Sequence, residues 1–138
     1  MARFETNGLA ELSISFEKMG QLDASGTLDR MLIAEADVIA KAQKEVGMQY
    51  GVHRTGTTLE SISVGKPGGS GGAKHIYVRP RGLNADGNRN AEVAFINEFG
   101  KKGQAPRPFI RDANESHMDE AVDAAEEIYD KWLSSLGL

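Results

Sequence analysis

From Pro108 to Ser135 the chain keeps a helical apolar period: Ala121, Ala125, Ile128 and Trp132 form one row, and Val122, Tyr129, Leu133 and Leu136 widen it. A stripe of this length has to be covered by the rest of the chain. Opposite the row, Asp119, Asp123, Glu126, Glu127 and Asp130 make an acidic face. Pro108 suits the first turn, where its missing N–H costs nothing, and Asp112 and Glu115 sit near the positive end of the helix dipole.

Two further helical periods come earlier. Asn7 can cap a helix that places Leu9, Leu12, Phe16 and Met19 on one face, and the segment from Gly20 to Gly26 breaks it. From about Thr27, the residues Leu28, Met31, Leu32, Ala36, Ile39, Ala42 and Val46 continue such a face over ~30 Å at ~1.5 Å per residue. Gly47 or Gly51 stops it, because glycine takes the left-handed conformation that helix ends often require.

The middle of the chain changes period. Ile62 and Val64 alternate with Ser61 and Ser63, and Ile76 and Val78 alternate with His75, Tyr77 and Arg79, which predicts two half-buried strands. The run from Lys66 to Lys74, with Gly69 and Gly71 inside it, predicts a flexible hairpin loop. Pro80 ends the second strand or puts it at an edge. After a polar loop from Arg81 to Asn90, Glu92 to Ile96 reads as a third strand; alternatively Ala94 to Phe99 coil into a helical turn, since Phe95 and Phe99 lie four apart. The expected fold is α+β: a small antiparallel sheet over residues 57–100 with its long hairpin loop at 66–74, packed by a helical N-terminal part at 7–50 and one C-terminal helix at 108–135.

A chain of 138 residues suits a single domain. Cysteine is absent, which excludes disulfides, zinc–thiolate sites and a cysteine nucleophile, and fits synthesis in a reducing cytoplasm. No apolar run approaches the ~20 residues that cross a bilayer, and the N-terminus lacks the apolar core of a signal peptide, so a soluble protein is expected. Charge is divided along the chain: residues 1–50 carry −3, residues 51–111 carry +6 and residues 112–138 carry −7. A basic middle between acidic ends can steer DNA, or can dock one copy's middle on another copy's acidic end.

Motifs for chemistry are incomplete. The glycine run departs from a phosphate-binding loop because Ala73 separates glycine from Lys74 and His75 occupies the place of the magnesium-binding hydroxyl. Asp86, Asn88 and Asn90 copy the opening of a calcium loop, but Ala91 and Asn97 stand where glycine and the bidentate glutamate belong. His53, His75 and His117 lack second ligands at helical spacing. Ser61, His75 and Glu98 make a catalytic triad only on paper, with no nucleophile-elbow sequence. No catalytic, cofactor or metal residue is therefore expected. Arg79, Arg81, Arg89, Lys101, Lys102, Arg107 and Arg111 form a basic segment suited to sequence-independent DNA contact or to subunit bridging. Glu98 and Arg107 are expected to form an ion pair that pins the turn between them, or to face a neighbouring subunit. Phe95, Phe99 and Phe109 are expected to anchor a compact corner between sheet and final helix.

Three stretches resemble, in order, the pattern of a tailed-bacteriophage family, the small tail-completion or head–tail joining proteins, also called minor tail components. Arg54-Thr55-Gly56 with Leu59 and Ser61-Ile62 is similar to its Thr-Gly, Leu, Ser-Ile segment. Val93 to Gly100 is similar to its Glu-Phe-Gly segment, and Ala105 to Ala113, with Pro108 and Phe109, to its Ala-Arg-Pro-Phe helix start. Lys101 replaces the threonine usual after Glu-Phe-Gly, and Pro106 stands between Ala105 and Arg107. The resemblance implies an α+β virion protein, made in the bacterial host cytoplasm and placed at the head-proximal end of the tail. It implies a ring matching the tail's sixfold symmetry, with tail-tube and head-connector proteins as partners, DNA passing through the centre, and neither a cofactor nor a small-molecule substrate. The interface expected on this basis comprises Lys66, Gly69, Gly71, Lys74, Glu98, Lys101, Lys102, Arg107, Arg111, Asp123 and Glu127, supported by Gly56, Phe95, Phe99, Gly100, Pro108 and Phe109. The loop from Gly68 to Lys74 would order on contact with a neighbour.

Overall fold

Two long helices form the frame of the chain. In the computed structural model, which describes residues 21–52, 56–69 and 74–137, they are α1 (Thr27–Gln49) and, last in sequence, α4 (Phe109–Ser135). Between them lie a short helix α2 (Thr57–Glu60), strands β1 (Ser63–Val64) and β2 (Val78–Arg79), and helix α3 (Asn90–Phe99). The protein is of mixed α+β class, with helices around one two-stranded antiparallel sheet. The helix expected from Asn7 to Met19 lies outside the described residues, as do His53, Arg54, Thr55, Gly71 and Ala73.

Helices α1 and α4 run antiparallel and pack along their lengths, with Gln43 Nε2 donating to Asn114 Oδ1 at 2.9 Å near the paired ends. Their seam is made of small residues, Ala36, Ala40 and Ala42 on one side and Ala113, Ala121 and Ala125 on the other. Such a seam brings the axes close and gains its energy from contact density more than from buried area. At the lower end of the frame, Phe109, Val46, Val52, Leu59, Ile62 and Ala94 close a core, with Val64, Val78 and Ile110 packed against it.

Gly51 ends α1, as one of the two expected stops. Its φ is 78°, the Val52 N–H donates to Gly47 O at 2.8 Å and the Gly51 N–H to Met48 O at 3.2 Å, the paired bonds of a Schellman cap. Gly47 instead stays helical. A Cβ there would lie 2.4 Å from Leu59 Cδ2 and 3.1 Å from Phe109 Cδ2, so this glycine is a packing position.

The sheet is smaller than the alternation predicts. Ser63 pairs with Arg79 and Val64 with Val78, and Gly68 bridges His75 farther along the hairpin. Ile62 is buried but lies outside the strand, and Gly56, at φ 73°, leads into the helical turn α2 and not into a strand. The third strand expected at Glu92 to Ile96 is replaced by α3. Asn90, Ala94 and Glu98 recur every four residues on its buried side, a helical period that a short apolar run does not reveal by itself.

Candidate partner-binding surface

Helix α3 is turned into α4 by a corner built from backbone constraints. The Gly100 N–H donates to Ile96 O at 2.7 Å, and Gly100 takes φ 78°. A Cβ at this position would meet Gln104 O at 2.7 Å and Pro106 N at 2.9 Å, so only glycine fits. Lys101 and Gln104 then exchange backbone hydrogen bonds at 3.1 and 2.9 Å, which leaves Lys102 and Gly103 at the tip of a tight turn. Pro108, at φ −77° and ψ 62°, sits in an inverse γ-turn closed by the Phe109 N–H on Arg107 O at 2.7 Å. It is the residue before the first turn of α4 and not, as expected, inside it. The γ-turn drops Phe109 into the core, where it is 0% exposed.

Glu98 and Arg107 do not pair with each other. The Glu98 carboxylate accepts the Ile110 N–H at 2.9 Å and the Arg111 N–H at 3.0 Å, which caps the first turn of α4 from a neighbouring helix. Arg107 Nη1 donates to Gly51 O at 3.1 Å, and the Arg107 N–H donates to Asn97 O at 2.6 Å. A buried acid finds unsatisfied helix-end amides, and an exposed guanidinium finds a carbonyl at the end of α1. Both contacts are long-range, so residue spacing carried no signal for them.

The aromatic corner differs from expectation in a second way. Phe95 is 62% exposed and Phe99 65% exposed, with ring centroids 4.7 Å apart. They lie one turn apart on the face of α3 next to the buried row of Asn90, Ala94 and Glu98. Of the three rings Phe109 alone anchors the corner; the other two touch each other at the surface, tilted at 49°. Lys101 and Lys102 follow Phe99 after the intervening Gly100 and are exposed, as are Arg79, Arg81, Arg89, Arg107 and Arg111. A depression of about 500 Å³ opens between this corner and the end of α1, lined by amide and charged groups that include Asn84, Asn97, Gln104 and Arg107.

Comparison with protein families, characterised proteins and solved structures returns no match.

The other sequence candidates fall into separate places. Lys74 bonds both Asp23 and Asp29 at 2.7 Å, so it ties the hairpin to the start of α1 instead of presenting its charge to a partner. The Asp23 and Asp29 carboxylates accept hydrogen bonds from the Lys74 ammonium and raise its pKa, and the Asp112 carboxylate, accepting from the Tyr50 hydroxyl, raises that of Tyr50. Lys66 and Gly69 are exposed beside the hairpin, and Asp123 and Glu127 are exposed on the outer face of α4. Arg111 is held by its own neighbour, Nε donating to Asp112 Oδ1 at 3.2 Å.

The residues of the calcium-like sequence do not converge. Asn84 Oδ1 accepts the Asp86 and Asn88 N–H groups at 3.0 Å each, an Asx-type turn. Asn90 points inward, its Nδ2 donating to Arg81 O at 2.8 Å and its Oδ1 accepting from Thr58 Oγ1 at 3.3 Å. The groups of the paper triad have other partners: Ser61 Oγ donates to Thr58 O at 2.7 Å, and the Glu98 carboxylate caps α4. Among the described residues no group of three or more His, Asp or Glu side chains is placed to hold a metal ion, and no helix is long and apolar enough to cross a membrane.

Proposed function

We propose that the protein is a non-enzymatic structural part of a tailed-phage or prophage virion, a ring component at the head-proximal end of the tail that binds tail-tube subunits on one side and connector subunits on the other. The observation that carries this reading is how the motif residues are used. Glu98, Gly100, Pro108 and Phe109 all build the corner between α3 and α4, and none of them presents a reactive group to a cleft. The same corner holds two exposed aromatic rings in mutual contact beside a lysine turn, a surface suited to binding.

A second reading has one specific support. Seven basic side chains between Arg79 and Arg111 are exposed, which suits sequence-independent contact with DNA. A mobility-shift assay near physiological salt separates the two. The virion reading predicts weak binding; tight, strongly salt-dependent binding of the isolated protein supports the DNA-binding accessory role instead. Deleting Gly69 to Gly72 provides a separate check on the hairpin as a docking element. The variant is expected to fold and to fail in particle completion, and a normal yield of infectious particles would remove the hairpin from the mechanism.

A further inference from the structure

Two exposed apolar groups on this chain are framed by opposite charge. On α3, the Phe95 and Phe99 rings lie 4.7 Å apart between centroids, tilted at 49°, and Lys101 and Lys102 follow just past Gly100. On α4, Met118 and Val122 are 54% and 41% exposed and lie one turn apart on one flank. Glu115, Asp119 and Glu126 fall within about a turn of that pair and are exposed. Each group is an apolar centre with a charged rim, the anatomy of a protein–protein contact.

We propose that the Phe95–Phe99 pair of one copy seats against the Met118–Val122 flank of a second copy, with Lys101 and Lys102 facing Glu115, Asp119 and Glu126. Charge selects this occupant. Two lysine turns repel each other and so do two acidic flanks, whereas each patch is the complement of the other. Because the mating patches differ, the contact is heterologous: a pair retains one unmated patch of each kind, one on each copy, and association continues until a ring closes. The inference deepens the proposed ring role and rests on reading the chain as an assembling part, but its test in solution addresses the contact alone.

Sedimentation of the full chain at low and high salt provides that test. The wild type is expected to self-associate with increasing concentration and to dissociate as salt screens the rims. Phe95→Ser with Phe99→Ser should weaken association by about thirtyfold or more while leaving the fold intact, since both rings are already exposed. Lys101→Glu with Lys102→Glu, and separately Asp119→Lys with Glu126→Lys, should each weaken it by about tenfold. Mixing the two charge-reversed proteins should restore a complex between them. A wild type that stays monomeric, association indifferent to the phenylalanine substitutions, or failure of the mixed pair to associate would each overturn the proposal. Loss of DNA binding by the phenylalanine variant, with the wild type monomeric, would also overturn it and assign the rings to base stacking. A monomeric wild type whose absence still blocks particle completion would remove this contact and leave the virion role standing.

Discussion

Glu98 shows how one side chain can couple two elements. Its carboxylate takes the place of a local N-cap for α4, satisfying two amides that the preceding Pro108 cannot serve. Glu98→Ala is expected to cost about 1–3 kcal/mol, because two partly buried amides lose a charged acceptor, and Glu98→Gln should cost less because the amide oxygen still accepts. Denaturant titration of the two variants checks this, and equal stability of wild type and Glu98→Ala would contradict the cap. At the same end of the helix pair, the Tyr50 hydroxyl donates to Asp112 Oδ2. That bond lowers the Asp112 pKa, with smaller help from Arg111, and raises that of Tyr50. The signs follow from linkage. A depressed carboxylate contributes stability above its unfolded pKa and loses it as pH falls through the folded value; a raised phenol contributes below its unfolded pKa and loses it as pH rises through the folded value. The stability difference between wild type and Tyr50→Phe should therefore be level near neutrality and shrink in acid and again in strong base. Melting curves across pH would reveal it, and a difference that persists unchanged into acid would rule out the Asp112 contribution.

Among the elements, the corner between α3 and α4 is the most constrained. Gly100→Ala should cost roughly 2–3 kcal/mol, since a positive φ and two backbone atoms inside 3.0 Å oppose a Cβ. Thermal melting of that variant at wild-type temperature would show that the corner relaxes more easily than its geometry implies. The long helices were legible in the sequence, with α1 starting at Thr27 and α4 ending at Ser135 as their periods and flanking glycine or proline residues predict. Helix α3 was harder to read. Its apolar run is short, and Asn90 and Glu98, polar residues that a strand reading leaves outside, complete the buried row. Phe95 and Phe99 were misassigned to the core for a related reason: spacing shows that they share a face but not which way that face points. Glu98 with α4, Arg107 with Gly51 and Lys74 with Asp23 and Asp29 join residues far apart in the chain, and only the folded geometry brings them together.

At the scale of the whole molecule, charge and exposure point the same way. The basic corner and the acidic outer face of α4 belong to one chain, and the apolar side chains at their edges are left exposed. Under the proposed contact, a molecule free in solution carries both halves without closing either. On the proposed reading, the protein is needed for assembly and not for chemistry. The most direct measurement is electron microscopy of particles produced when the gene for this chain is deleted from the phage or prophage that carries it. The account predicts filled heads and separate tails, with joining restored by the wild-type chain supplied in trans and not by Phe95→Ser with Phe99→Ser. Intact, infectious particles in its absence would contradict it.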